Sequence, residues 1–269
     1  MFKHFKFKIL LISRDLKYFA NLKNFDDFYP NELNRNQIYK YFLFYFYKYL
    51  PSDLVKHRLF FSKNKRGFGE DPFHSMWYFI FKKFRPTNIL EIGVYRGQTL
   101  SLFTILSNSN SIESNIYGLS PLDNTGDSVS EYLQLNYKKD IEYNFKYFGL
   151  DYPNIIEAVS ESDIGSKLIS SQKWDLVYID GSHEYKDVKF DVTRVLDSLN
   201  IDGLLVLDDS SLYTDFNNIS FEKYNLKTFK GHEGPSRIFK ELLEDKSLKF
   251  LIGVGHNNVF KKINTSCWL

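Results

Sequence analysis

The apolar positions of this chain change their rhythm near residue 86. Residues 1–85 show no strand alternation and read as helices joined by loops. Tyr39, Phe42, Phe46 and Leu50 recur at helical spacing, as do Tyr41 and Tyr45. They predict a core or subunit-contact helix that ends at Pro51-Ser-Asp53, where the next helix is capped. Arg66-Gly-Phe-Gly-Glu-Asp-Pro72 is a turn-rich loop ahead of a further apolar segment, Met76 to Phe84. From residue 88 short apolar runs alternate with helical patterns. Strands are predicted at Asn88–Ile92, Asn115–Leu119, Ile155–Ala158, Asp175–Ile179 and Leu204–Leu207. Helices follow Gly97 (Leu100, Phe103, Leu106) and span Glu184–Leu199 (Val188, Val192, Val195, Leu196). Such alternation implies a parallel sheet with right-handed crossovers. A helix near Pro235–Glu244 leads to Phe250–Val254, the turn Gly255-His-Asn257, and Asn258–Ile263, a hairpin that returns antiparallel. The prediction is therefore an α/β protein with a helical extension over 1–85, a substrate lid or oligomer contact, and a sheet domain over 86–269.

Composition narrows the picture. The 269 residues, 43% of them hydrophobic, suffice for one domain with a sizeable core plus the extension. With 35 basic and 33 acidic residues the net charge is +2, which gives no electrostatic footprint for nucleic acid. The single cysteine, Cys267, rules out a disulfide framework within the chain and fits a reducing compartment. The apolar core of the first segment, Ile9 to Ile12, is too short for a signal peptide, and Tyr39–Leu50 is too short to span a bilayer, so a cytoplasmic protein is expected.

Candidate chemistry lies where strands end, because ligands in open α/β sheets sit outside the carboxyl ends of the strands. Glu91-Ile-Gly93-Val-Tyr95-Arg-Gly97 follows the first strand. Gly93 lets the chain turn sharply, Gly97 lets the next helix start close to a ligand, and Glu91 accepts hydrogen bonds. The glycines lack the Gly-x-Gly-x-x-Gly spacing of a dinucleotide fold, which argues against NAD. Asp180 ends the fourth strand, and Asp208-Asp209 ends the fifth, one crossover later. Three carboxylates at adjacent strand ends repel unless protons or a cation neutralise them, and oxygen ligands suit Mg²⁺, Mn²⁺ or Ca²⁺. The alternative is that one acid caps a helix and the others face solvent or lysine. His183 is a candidate base or simply a helix-start residue; His232, in Gly231-His-Glu-Gly-Pro-Ser236, is a second candidate base. His4, His57 and His74 have no such context, and His256, in the hairpin turn, reads as structural. The polar stretch Ser120–Asp140 is long enough to be functional or flexible.

Leu90-Glu-Ile-Gly-Val-Tyr-Arg-Gly-Gln98, Tyr178-Ile-Asp-Gly-Ser-His-Glu-Tyr185 and Gly203-Leu-Leu-Val-Leu-Asp-Asp209 resemble the class I S-adenosylmethionine-dependent methyltransferases. More narrowly they look like the group of macrocin and mycinamicin sugar O-methyltransferases and cephalosporin-hydroxylase-like proteins, over roughly residues 65–263. The resemblance implies a Rossmann-like seven-stranded sheet whose last strand is antiparallel. It implies that Glu91, Gly93, Tyr95, Gly97 and Asp180 contact S-adenosylmethionine, and that Asp180, Asp208 and Asp209 hold a divalent metal such as Mg²⁺ beside His183. Two departures stand out. Tyr95 replaces a common glycine. Ser120, in Tyr117-Gly-Leu-Ser-Pro-Leu-Asp123, stands where an acid usually binds the ribose, leaving Asp123 or Ser120 itself for that contact. Ser160 sits where this fold often places an adenine-side contact.

The implied activity is O-methylation of a sugar or sugar-derived polyol, free or nucleotide-linked, with a bacterial surface glycan as the kind of target. Asp180 and His183 or His232 would serve the chemistry, in a homo-oligomer. Competing readings are a metal-independent methyltransferase on another small molecule, a non-catalytic cofactor-binding scaffold and, more remotely, a nicotinamide dehydrogenase.

Overall fold

The computed structural model describes residues 34–63, 66–123, 136–217, 220–221 and 226–264. Met1–Ser13 and much of the Ser120–Asp140 stretch lie outside the described residues. The strands are β1 (Asn88–Ile92), β2 (Asn115–Ser120), β3 (Asn154–Glu157), β4 (Trp174–Ile179), β5 (Leu199–Leu207), β6 (Ser220–Phe221), β7 (Leu226–Lys227), β8 (Leu248–Val254) and β9 (Asn257–Lys262). The helices are α1 (Arg35–Lys48), α2 (Ser52–Lys63), α3 (Asp71–Phe84), α4 (Gln98–Ser109), α5 (Tyr137–Tyr147), α6 (Asp163–Ser170), α7 (Tyr185–Ser198) and α8 (Glu233–Glu244).

Seven strands form one sheet in the order β3-β2-β1-β4-β5-β9-β8. β1 to β5 run parallel, while β9 pairs antiparallel to both β5 and β8. The order reverses between β1 and β4, the switch point where such sheets open a crevice. β6 and β7 form a separate two-stranded ribbon. Among the described residues no helix is long and apolar enough to cross a membrane.

The alternation along each strand assigns its faces. Ile89, Leu176, Tyr178, Leu204 and Val206 join the core that α1, α3 and α4 close. Leu90, Ile92, Val177, Ile179, Leu205 and Leu207 join the core that α7 and α8 close. The aromatic helix α1 is buried along most of its length, with Tyr39, Tyr41 and Phe42 at 0% exposure, and packs against α3 and β8. An Asn34–Gln37 capping box starts it. The helical segment and the sheet share one apolar core.

Candidate active site

Backbone hydrogen bonds continue past the strand ends as a staircase. Gly93 N–H donates to Leu119 O, Asp180 N–H to Ile92 O and Asp208 N–H to Ile179 O, at 2.9, 2.8 and 3.0 Å. Each step presents one strand end at the mouth of a cavity of about 800 Å³. Gly93 has φ +96°, and a Cβ there would stand 2.0 Å from the backbone oxygen of Asp180. Only glycine lets the two turns touch. Gly231, at φ +105°, makes the same approach to Asp209 O at 2.0 Å. That contact brings the His232 loop under β5, where His232 N–H donates to Asp209 O at 2.8 Å.

At one end of the cavity Glu91 is 3% exposed and Oε2 has no hydrogen-bond partner. Burial pushes its carboxyl up to about 8, Asp208 adds to the rise, and bonds from Thr99 and the Leu100 N–H work against it. A cationic donor is what this acid lacks. Tyr95 and Asp123 line the wall, as do Ser120 and Ser160. The Ser120 hydroxyl is committed within the protein: it donates to Val94 O at 3.0 Å and accepts from Leu122 N–H at 3.2 Å. Gly97 departs from the expectation that it approaches a ligand. It starts α4 at φ +76°, but a Cβ would face Phe145 and Ile141 of α5 at 3.1 and 3.3 Å, and the residue is not part of the cavity wall. Its glycine serves helix packing.

At the other end, Tyr178 Oη lies 3.0 Å from Asp180 Oδ2 and 2.9 Å from Asp208 Oδ2. One hydroxyl proton cannot serve both carboxylates, so the trio must share a second. Burial, then the charge of Asp208, holds Asp180 well above the usual carboxylate range. Asp209 behaves oppositely. Burial alone would raise it, but the hydrogen bond from His183 and the charges of His256, His183 and His232 hold it below the usual range. His183 Nε2 is 3.2 Å from Asp209 Oδ2 and His232 Nε2 is 3.7 Å away, with the two rings stacked at 4.0 Å.

His256 overturns its reading as a structural turn residue. Its Nε2 lies 3.3 Å from Asp208 Oδ1 and its Nδ1 3.7 Å from Asp209 Oδ1. Burial opposes charge on this ring, yet Asp208, Asp209 and Glu70 raise its pKa above the ordinary value. The signal was present in the predicted hairpin. β9 runs antiparallel beside β5, with Leu207 opposite Asn258, so the turn before β9 must adjoin the acids after β5. Tyr178, quoted in its motif but given no role, is likewise part of the site.

Among the described residues two groups converge closely enough to hold a cation: His183, Asp209 and His232, and Asp208, Asp209 and His256. Both groups mix nitrogen with oxygen donors, and Asp180 of the expected Asp180, Asp208 and Asp209 set is in neither.

An open, mostly parallel sheet with an antiparallel final strand, acids at the ends of β4 and β5 and a buried glutamate before a glycine turn is the arrangement expected from the resemblance to class I S-adenosylmethionine-dependent methyltransferases. Residues 90–210 match the family model described as a methyltransferase domain. No curated protein sequence matches it. Among solved structures, the chain is similar to the SAH-bound methyltransferase PaMTH1 of Podospora anserina, at 17% identity and a TM-score of 0.54, covering 80% of this chain and 89% of that one. A putative caffeoyl-CoA O-methyltransferase from Staphylococcus aureus is 14% identical with a TM-score of 0.56, covering 80% and 93%. An O-methyltransferase from Bacillus cereus in complex with SAH is 11% identical with a TM-score of 0.54, covering 86% and 100%. At such identities these likenesses concern the fold.

Proposed function

We propose that this methyltransferase uses S-adenosylmethionine to methylate a hydroxyl of a sugar or sugar-derived polyol, with a divalent cation at the acid–imidazole cluster. The observation that carries the reading is one cavity with two chemically distinct ends. Glu91 offers a buried, incompletely bonded carboxyl at one end, matched to the cofactor's ammonium. Asp208, Asp209 and three imidazoles converge at the other. When bound, the cofactor supplies an activated methyl group, so the protein's work is to place the acceptor and take its proton. Asp209 fixes the imidazoles of His183 and His232, and either ring is a base of the right type for a hydroxyl. The imidazole of His183 or His232 would take the proton of the acceptor hydroxyl. The names of the structural neighbours, several of them O-methyltransferases, support oxygen as the accepting atom. A bound cation that leaves His183 and His232 to take the proton would be held by Asp208 and Asp209 with His256, and would polarise the acceptor hydroxyl. Nitrogen donors suit Mn²⁺ or Fe²⁺ at least as well as Mg²⁺.

One observation favours a metal-independent version. Tyr178, Asp180 and Asp208 already share protons, and three imidazoles surround Asp209, so the cluster is internally neutralised. Turnover of free and nucleotide-linked sugars with Mg²⁺, with Mn²⁺ and with excess chelator separates the two. The metal-assisted reading expects chelation, or Asp208→Ala, to lower turnover at least 100-fold while leaving SAH affinity within about threefold. Full activity in chelator removes the cation from the proposal. Absence of methyl transfer to any hydroxyl acceptor removes the sugar.

A further inference from the structure

Glu70 has no role in the chemistry above. It stands just before α3, outside the residues that match the methyltransferase model, and it lines the cavity. A short relay of contacts places it at the acid–imidazole end. Its Oε1 accepts from the Phe229 N–H at 3.0 Å, the Phe229 carbonyl lies 3.3 Å from His256 Nδ1, and His256 Nε2 lies 3.3 Å from Asp208 Oδ1. Oε2 is buried and closes no hydrogen bond. The Tyr39 hydroxyl faces the carboxyl from α1, and it closes none either. Burial raises the carboxyl above its ordinary range, although His256, Tyr39 and the Phe229 N–H work against the rise. A carboxylate oxygen shut away without a donor is costly, so a ligand that brings one gains by it.

The surroundings narrow the donor. The rings of Phe73 and Phe229 pack on His256 at 4.7 and 5.8 Å and line the cavity with it, so the wall around the carboxyl is largely apolar. The imidazoles and the candidate cation site already gather positive charge on this side. A further cation would be repelled there, and a neutral hydroxyl is the donor that fits. We propose that Glu70 is a specificity-determining residue for the acceptor: its carboxylate accepts a hydrogen bond from a hydroxyl other than the one methylated, so the protein selects a polyol over a compound with a single hydroxyl. A site built around a hydroxyl rejects the analogue that lacks it steeply, because its own polar group is then left unpaired. The helical segment thus contributes the reading of the acceptor, while the strand ends contribute the transfer. The inference rests on the sugar reading above.

Methyl transfer to the methyl glycosides of glucose, galactose, mannose and rhamnose, and to the monodeoxy derivatives of each, tests it. For the sugar that is methylated, the wild-type protein should lose at least 100-fold in kcat/KM on one derivative whose missing hydroxyl is not the one methylated. Glu70→Ala should lose as much on the parent sugar, yet match the wild-type protein within about threefold on that derivative, because either change removes the same hydrogen bond. A merely structural glutamate, or a second hydroxyl held by the cation alone, would make the two losses multiply, and that result overturns the assignment. So does wild-type protein that turns over every derivative retaining the reacting hydroxyl equally well, a measurement that needs no variant to fold. Methyl transfer to none of these sugars by protein that still binds SAH overturns the sugar reading itself, and this assignment with it.

Discussion

Behind the cofactor turn sits a buried chain of polar groups whose hydrogens can be assigned by counting. Ser101 Oγ donates to Gly97 O at 2.7 Å, so its one proton is spent there. His57 Nε2, 2.9 Å from that oxygen, must therefore donate to it, leaving Nδ1 to accept from His74 Nε2 at 2.9 Å. Both rings are neutral. Burial, then Arg58, lowers His57 to about 3, and burial, His57 and Arg58 drive His74 well below its ordinary value. In the unfolded chain these rings take up protons near 6.5. The unfolded state thus binds more protons than the native one below that pH. The stability these neutral rings contribute is complete above about 6.5 and is lost as pH falls toward 3. Each ring contributes a slope of up to about 1.4 kcal/mol per pH unit. Denaturant unfolding between pH 7 and 4.5 should show His57→Gln losing up to one proton's worth of that slope; superimposable profiles would show that His57 already takes a proton in the native state.

At the scale of elements, α1 is tied to the antiparallel edge of the sheet by one guanidinium. Arg35 Nη1 donates to Asn258 Oδ1 at 2.7 Å and Ser211 Oγ at 3.2 Å, and the group lies over the rings of Phe239 and Phe250. Burial lowers Arg35 to about 10 against the pull of Asp215, so it stays charged at neutral pH. Arg35→Met keeps the stem and strands the buried acceptors, a cost of about 2–3 kcal/mol. Melting should fall by roughly 5–10 °C, with earlier proteolytic cleavage within α1 and α2. Unchanged melting and digestion would mean that the aromatic packing of α1 suffices. The sequence pattern reached these elements unevenly. β1, β2 and β4 were legible to within a residue because largely buried strands write themselves as apolar runs, ended by Gly93 after β1, Pro121 after β2 and Asp180 after β4. β5 begins earlier than its apolar run, since Asn200, Ile201 and Asp202 extend the strand through partly exposed positions. α5 and α6 were missed for the same reason. Each buries a narrow stripe, Tyr137, Ile141 and Phe145 in one and Ile169 in the other, among many polar residues. The acids of the site were legible one strand at a time. The third imidazole was not, because His256 joins them only through the antiparallel register of β9.

At the scale of the whole molecule, cofactor binding is also a stability measurement. A ligand that binds only the native state adds about 2.7 kcal/mol at 100 times its Kd, so SAH at that excess should raise the melting temperature by roughly 5–10 °C. A flat response would leave the protein with the methyltransferase fold but without its usual ligand. The contact between Gly93 and the Asp180 carbonyl carries a further meaning at this scale. The glycine turn after β1 and the turn that carries the first acid meet backbone to backbone, so no side chain can be enlarged to move them apart. Their separation acts as a fixed ruler inside the molecule. A change of acceptor would then be written in the outer wall, where Phe68 and Phe229 are 61% and 44% exposed. Engineering of this protein toward new acceptors has its room there, and none across the seam between β1 and β4.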